Sequence, residues 1–290
     1  MNAAEGTRKF RFEQYSARRD TLNHCEIISS SRRCVRPDNE EMFRSVVNPI
    51  DSELTEADSP GEVVLTVHGL LAGCRSMRWL GDAARREGYV VMDWGYPSLK
   101  GSILHHAAGL SRVLNDLATR DGVKQIHLVT HSMGGVIARA AILQSRLETR
   151  WADKCGRIVM LAPPNAGSKL TRFPLGPFAS WFPQLKELSE DSDSFVRRLP
   201  CLRRMRVGVI AAEHDFVVDE RSTHLEGQRD HATVRTSHQR LTRHPDTIEM
   251  TIEFLKTACL SPSPTTFALE SESFRRESDG QRRRVHSAAA

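Results

Sequence analysis

The chain has 290 residues, 39% of them hydrophobic, with 41 Lys and Arg against 36 Asp and Glu and a formal net charge of +5. That apolar share supports a globular core of one large α/β domain or two small ones, and no run approaches the roughly twenty apolar residues of a membrane-spanning helix. The positive charge invites a nucleic-acid partner, but the basic residues are scattered and neither a recognition helix nor an aromatic RNA-binding motif accompanies them, so none is expected.

Residues 1–60 carry nine Lys or Arg against eleven Asp or Glu and no sustained apolar period, so a polar N-terminal extension, flexible or loosely attached, is expected there. From Glu62 the pattern changes. Val63–Val67 reads as a buried strand running into His68-Gly69-Leu70-Leu71, and Ser76–Glu87 as a helix with Trp79 and Leu80 facing inward. Tyr89–Asp93 is a second strand, followed by the Tyr96-Pro97-Ser98 turn and a helix over Ser102–Leu117 with a 3.6-residue apolar period. The Ile126–Val129 strand and the helix from Gly134 come next, then the strand Gly156–Ala162, stopped by Pro163-Pro164.

A gap of some forty residues follows, too long for an ordinary loop. It holds Phe173, Phe178, Trp181 and Phe182 among prolines and charges, so residues 166–204 are expected to form a small cap or lid insertion. Met205–Ala211 is a further strand, Ala232–Arg235 a short last one, and Pro245–Lys256 a helix with favourable Pro and Asp residues in its first turn. Residues 261–290 read as a disordered basic tail. Strands alternating with helical segments of this length indicate crossover connections, hence an α/β fold with a mostly parallel central sheet and helices on both faces.

The six cysteines are widely spaced without a C-x-x-C pair, and reduced thiols are expected. No apolar segment follows the basic first residues, which points to a cytoplasmic location. The densest basic group, Arg197, Arg198, Arg203, Arg204 and Arg206, is a solvated loop or a peripheral contact with an anionic membrane.

The most informative stretch is Thr130-His131-Ser132-Met133-Gly134-Gly135. An apolar run stops at a serine and small residues then open a helix, as where a buried strand turns sharply. Ser132 stands at that apex. The following first-turn amides point at whatever binds beside it, so one segment supplies a nucleophile and part of an anion site. Ligands of open parallel sheets bind outside the carboxyl ends of the strands. Four polar features fall there: His68-Gly69-Leu70, Ser132, Asp215 and His238. Asp219 is the alternative acid, and His244, just before Pro245, the alternative histidine. Neither His-Glu-x-x-His nor clustered ligand spacing points to a metal, and no cofactor is expected.

In chain order these segments, with Asn165-Ala166-Gly167-Ser168 and Ser222-Thr223-His224-Leu225, resemble the α/β-hydrolase superfamily over residues 61–260, nearest its small bacterial lipase-like and esterase-like members. The resemblance implies Ser132 as nucleophile, His238 as base and Asp215 as its orienting acid. It also implies an oxyanion hole from the amides of Leu70 and Met133, with His68, Gly69, His131 and Gly134 in support. A small ester, lipid-like in its acyl part, is the implied substrate. Acyl transfer or thioester cleavage by the same residues, and a silent scaffold that binds a partner, are the alternatives. One position departs from the family pattern: two residues before the serine, where Gly is usual, stands the β-branched Thr130.

Overall fold

A computed structural model describes residues 34–35, 61–145, 151–169, 183–203 and 205–261. Its strands are β1 (Cys34–Val35), β2 (Glu62–Val67), β3 (Val90–Trp94), β4 (Gln125–His131), β5 (Cys155–Leu161), β6 (Arg206–Ala212) and β7 (Asp230–Val234). They form one sheet in the order β1-β3-β2-β4-β5-β6-β7, and every adjacent pair is parallel. The helices between them are α1 (Arg78–Arg86), α2 (Ile103–Thr119), α3 (Met133–Ser145), α4 (Trp151–Lys154), α5 (Pro183–Glu187), α6 (Phe195–Arg198), α7 (Glu220–Thr223) and α8 (Pro245–Thr257). This is the expected α/β architecture.

Why the inner strands read as unbroken apolar runs is visible in their side-chain alternation. On β2, Val63, Leu65 and Val67 enter the core under α2 and α3, while Val64 enters the opposite core with Leu80 and Ala84 of α1 and Phe254 and Leu255 of α8. Strand β5 divides likewise, Ile158 and Met160 to one side, Val159 and Leu161 to the other. A parallel sheet covered on both faces leaves no position for a polar alternation.

Helix α2 begins where expected. Ser102 Oγ accepts from His105 N at 3.1 Å, and the Glu187 carboxylate of α5 accepts from Ile103 N at 2.8 Å. Together they satisfy first-turn donors that no helical carbonyl reaches. Gln184 Nε2 donates to Gly101 O beside them, while Leu188, Val196 and Leu202 are buried in the core. Residues 183–203 are thus tied to the sheet's helical layer. The aromatic residues 173, 178, 181 and 182 expected in the insertion, Arg204, and most of the two polar ends lie outside the described residues.

Two expectations are corrected. Trp79 does not face inward: it is 45% exposed, with the Arg78 guanidinium 4.6 Å above its ring. The inner face of α1 is set by Leu80, Ala83 and Ala84, and Trp79, about 100° around the helix from Leu80, falls at the edge of that face. Cys74 is disulfide-bonded, whereas Cys155, Cys201 and Cys259 are free. Bridging depends on the approach of two side chains in space, which spacing in the sequence does not reveal. Among the described residues, no helix is long and apolar enough to cross a membrane.

Candidate functional site

Strand β4 runs through His131, and the next residue turns. Ser132 has φ 55°, in the left-handed region that costs a non-glycine residue about 1–2 kcal/mol. The turn is held from both sides, since Ser132 N donates to Leu161 O at 2.8 Å and Gly135 N to Ser132 O at 2.9 Å. Helix α3 then starts hard against the end of β2. A Cβ on Gly134 would lie 2.6 Å from the carbonyl oxygens of both Val67 and His68, so only glycine permits that approach.

Thr130 leaves this turn intact. It is fully buried, its Oγ1 donates to Val159 O at 3.3 Å, and a Cβ on Gly135 would come within 3.3 Å of that oxygen. The bulk added before the serine is therefore cleared by the missing side chain after it.

Asp215 and His238 arrive from the ends of β6 and β7. The Asp215 Oδ1 accepts from Val217 N at 2.8 Å and Val218 N at 2.9 Å, which leaves Oδ2 for His238 Nδ1 at 2.6 Å. His238 Nε2 lies 3.0 Å from Ser132 Oγ. A carboxylate only accepts, so Nδ1 carries the proton and the Nε2 lone pair faces the serine hydroxyl. The structure thus brings Ser132, His238 and Asp215 into one hydrogen-bonded line.

The two alternatives sit elsewhere. Asp219 pairs with Lys169 Nζ at 2.8 Å and caps α7 by accepting from Arg221 N. Its carboxyl is held below the ordinary range by the hydrogen bond from Lys169. His244 stands at the N-terminus of α8, 3.8 Å from Asp246.

His68 is engaged at both ring nitrogens. Nδ1 donates to Gly69 O at 2.9 Å, Nε2 accepts from Tyr96 N at 3.4 Å, and the ring stacks on Tyr96 at 4.3 Å. The Tyr96 hydroxyl donates to His68 O at 2.8 Å, and burial pushes that phenol well above its ordinary range, so it remains a neutral donor. Those contacts fix the segment that carries Gly69 and Leu70. A Cβ on Gly69 would meet Ser132 Cβ at 2.9 Å, which measures how closely the segment passes the serine. Met133 opens α3, where first-turn amides lack helical acceptors.

Arg139 is a buried cation that the sequence does not single out. On α3 it is 3% exposed and donates to Asn165 Oδ1 at 3.1 Å and Leu199 O at 2.9 Å, with burial lowering its pKa to about 10. Asn165 Nδ2 donates in turn to Thr223 O at 2.7 Å. The signal was a single cation within the otherwise apolar run Val136–Leu143. Among the described residues, no cluster of three or more His, Cys, Asp or Glu is arranged to hold a metal ion.

Comparison with solved structures gives the same chain path. A Bacillus licheniformis lipase superposes with a TM-score of 0.53 at 14% identity, covering 70% of this chain and 95% of its own. Aspergillus fumigatus lipase B gives 0.57 at 14%, covering 67% and 52%. A putative hydrolase from Agrobacterium vitis gives 0.53 at 17%, covering 69% and 90%. No curated protein matches by sequence. The profile of the alpha/beta hydrolase family matches residues 64–268, the span that contains most of β2, strands β3 to β7, the serine turn, Asp215 and His238. The chain belongs to the alpha/beta hydrolase family.

Proposed function

We propose that this protein is a serine hydrolase that cleaves carboxylic esters with apolar acyl groups through an acyl-enzyme. The observation that carries the reading is the line Ser132 Oγ, His238 Nε2, His238 Nδ1 and Asp215 Oδ2, with separations of 3.0 and 2.6 Å, placed on a left-handed turn at the carboxyl end of the sheet.

A serine hydroxyl is a weak nucleophile near neutrality. As Oγ attacks the ester carbonyl, its proton passes to His238 Nε2, and the imidazolium that forms is stabilised by the Asp215 carboxylate. The carbonyl oxygen becomes negative and is received by the amides of Leu70 and Met133, each worth about 3 kcal/mol if preorganised. Collapse of the tetrahedral intermediate breaks the bond to the alcohol, which leaves with the proton from His238. Water then repeats the sequence on the acyl-serine, releasing the acid.

Apolar substrates are favoured by the rim of the site. Leu71 after β2, Leu99 after β3 and Phe216 beside Asp215 are 76%, 41% and 84% exposed, and all three follow carboxyl strand ends. Large apolar side chains left in water around one edge are suited to an acyl chain.

The test is incubation with a fluorophosphonate probe followed by peptide mass spectrometry. Label on Ser132 in the wild type and its absence in Ser132→Ala are the expected results. An unlabelled wild type, or equal labelling of the variant, removes the assignment.

A further inference from the structure

Beyond the serine site, a concave surface is lined by residues that flank His238 in the chain. It is a cavity of about 540 Å³ between the end of β7 and the start of α8, and neither Ser132 nor His238 lines it. Arg235, Arg240 and Arg243 do, together with His214, His244 and Ser237.

The charge of this cavity is one-sided. Among the described residues, none of the three guanidiniums has a hydrogen-bonded or ionic side-chain partner, and no carboxylate lines the cavity. Among the described residues, Asp246 is the one acid in ion-pair range of the lining groups, 3.8 Å from His244 Nδ1, with its side chain 64% exposed. Three arginines elsewhere do meet carboxylates, Arg85 with Asp82 and Asp93, Arg120 with Asp116, and Arg203 with Glu226. All three arginines are exposed, and lining one open hollow they give it a positive potential that favours an anion.

We infer that this cavity binds a phosphate group, carried as a free phosphate or by a lipid headgroup. A carboxylate offers two oxygens and is satisfied by one guanidinium fork, whereas a phosphate presents oxygens in several directions and accepts from more than one arginine. Two imidazoles and a hydroxyl add further donors around the same space. The cavity volume exceeds that of a bare anion, which leaves room for the group that carries it. Bound phosphate would rest against the turn that carries His238, where Arg240 N and Leu241 N both donate to Ser237 O at 3.0 and 3.1 Å.

The experiment reads binding and not turnover, so its failure leaves the ester-hydrolase reading standing. The full chain is titrated calorimetrically with sodium phosphate at constant ionic strength set by chloride, and is also floated with phosphatidylcholine vesicles with and without phosphatidic acid. Saturable binding to one or both phosphate probes is expected, weakened at least about tenfold in R235Q/R240Q/R243Q. It is expected to be unchanged in R197Q/R198Q, which removes exposed charge elsewhere. Response to free phosphate identifies a soluble ligand, and response confined to phosphatidic acid vesicles identifies a headgroup. The single variant R240Q repeats the comparison with a smaller loss should the triple variant melt early. No binding to either probe, or equal binding by the arginine variants and R197Q/R198Q, overturns the inference.

Discussion

His131 Nε2 donates to the carbonyl oxygen of His238 at 3.0 Å, and the two rings lie 4.8 Å apart at 47°. The residue before the serine therefore holds the backbone of the histidine that faces the serine. A carbonyl only accepts, so His131 carries its proton on Nε2, and Nδ1 is a buried lone pair without a partner. Burial, reinforced by His238, lowers its pKa to about 3. His131 is thus a permanently neutral strut between β4 and the His238 segment.

Replacing that strut by Leu keeps the volume and deletes the donor, leaving the His238 carbonyl unpaired at a cost of about 1–3 kcal/mol. The loss should fall on kcat for p-nitrophenyl esters, by about tenfold, with KM little changed. A kcat equal to wild type removes the positioning role.

His131 also sets a pH dependence of stability. Its folded pKa of about 3 lies below the ordinary 6.5, so between these values the unfolded chain binds a proton that the folded ring refuses. Stability is then complete above about pH 6.5 and falls by about 1.4 kcal/mol per pH unit below it, levelling near pH 3. Burial holds His127 and His231 below their ordinary value as well, adding to the same slope. Urea midpoints measured from pH 7 to pH 4 should fall more steeply for wild type than for His131→Leu.

Asp215→Asn tests the orienting acid. An amide in that place can donate to Nδ1 and so stabilise the tautomer whose Nε2–H points at Ser132. A loss in kcat of about 10³- to 10⁴-fold is expected, with the fold retained by circular dichroism. Near-normal turnover would transfer the role elsewhere, and Asp219→Asn is the matched control.

Gly134→Ala places a methyl 2.6 Å from two backbone carbonyls of the β2 end, neither of which is a flexible group. Destabilisation of about 3 kcal/mol or more is expected from thermal melts. Gly73→Ala is the comparison, since nothing lies within 4 Å of its Cβ position and its φ is −145°. That variant should melt at or slightly above wild type.

How much of this was legible follows from the kind of signal each part leaves. The inner strands are buried on both faces, so their runs were plain, and Ser132 was marked by the abrupt change from such a run to small residues. The sequence favoured Asp215 but left Asp219 open, because both follow β6 and only the path of the loop decides which reaches His238. Strand β1 lacks any pattern of its own, as two residues show no periodicity. Trp79 was misjudged because hydrophobicity alone does not give the angle around a helix. Arg139 stayed hidden because its partners, Asn165, Leu199 and Pro200, are far away in the chain and three of its four acceptors are main-chain carbonyls.

Asp215 Oδ1 is held by the amides of Val217 and Val218 and by no side chain. The demand on those two positions is for an N–H alone, which every residue but proline provides. The carboxylate's aim at His238 is therefore insulated from sequence drift in its own loop. Related chains are free to vary residues 217 and 218, within the packing limits of the buried Val218, without disturbing the acid, and a proline at either place would be the informative exception.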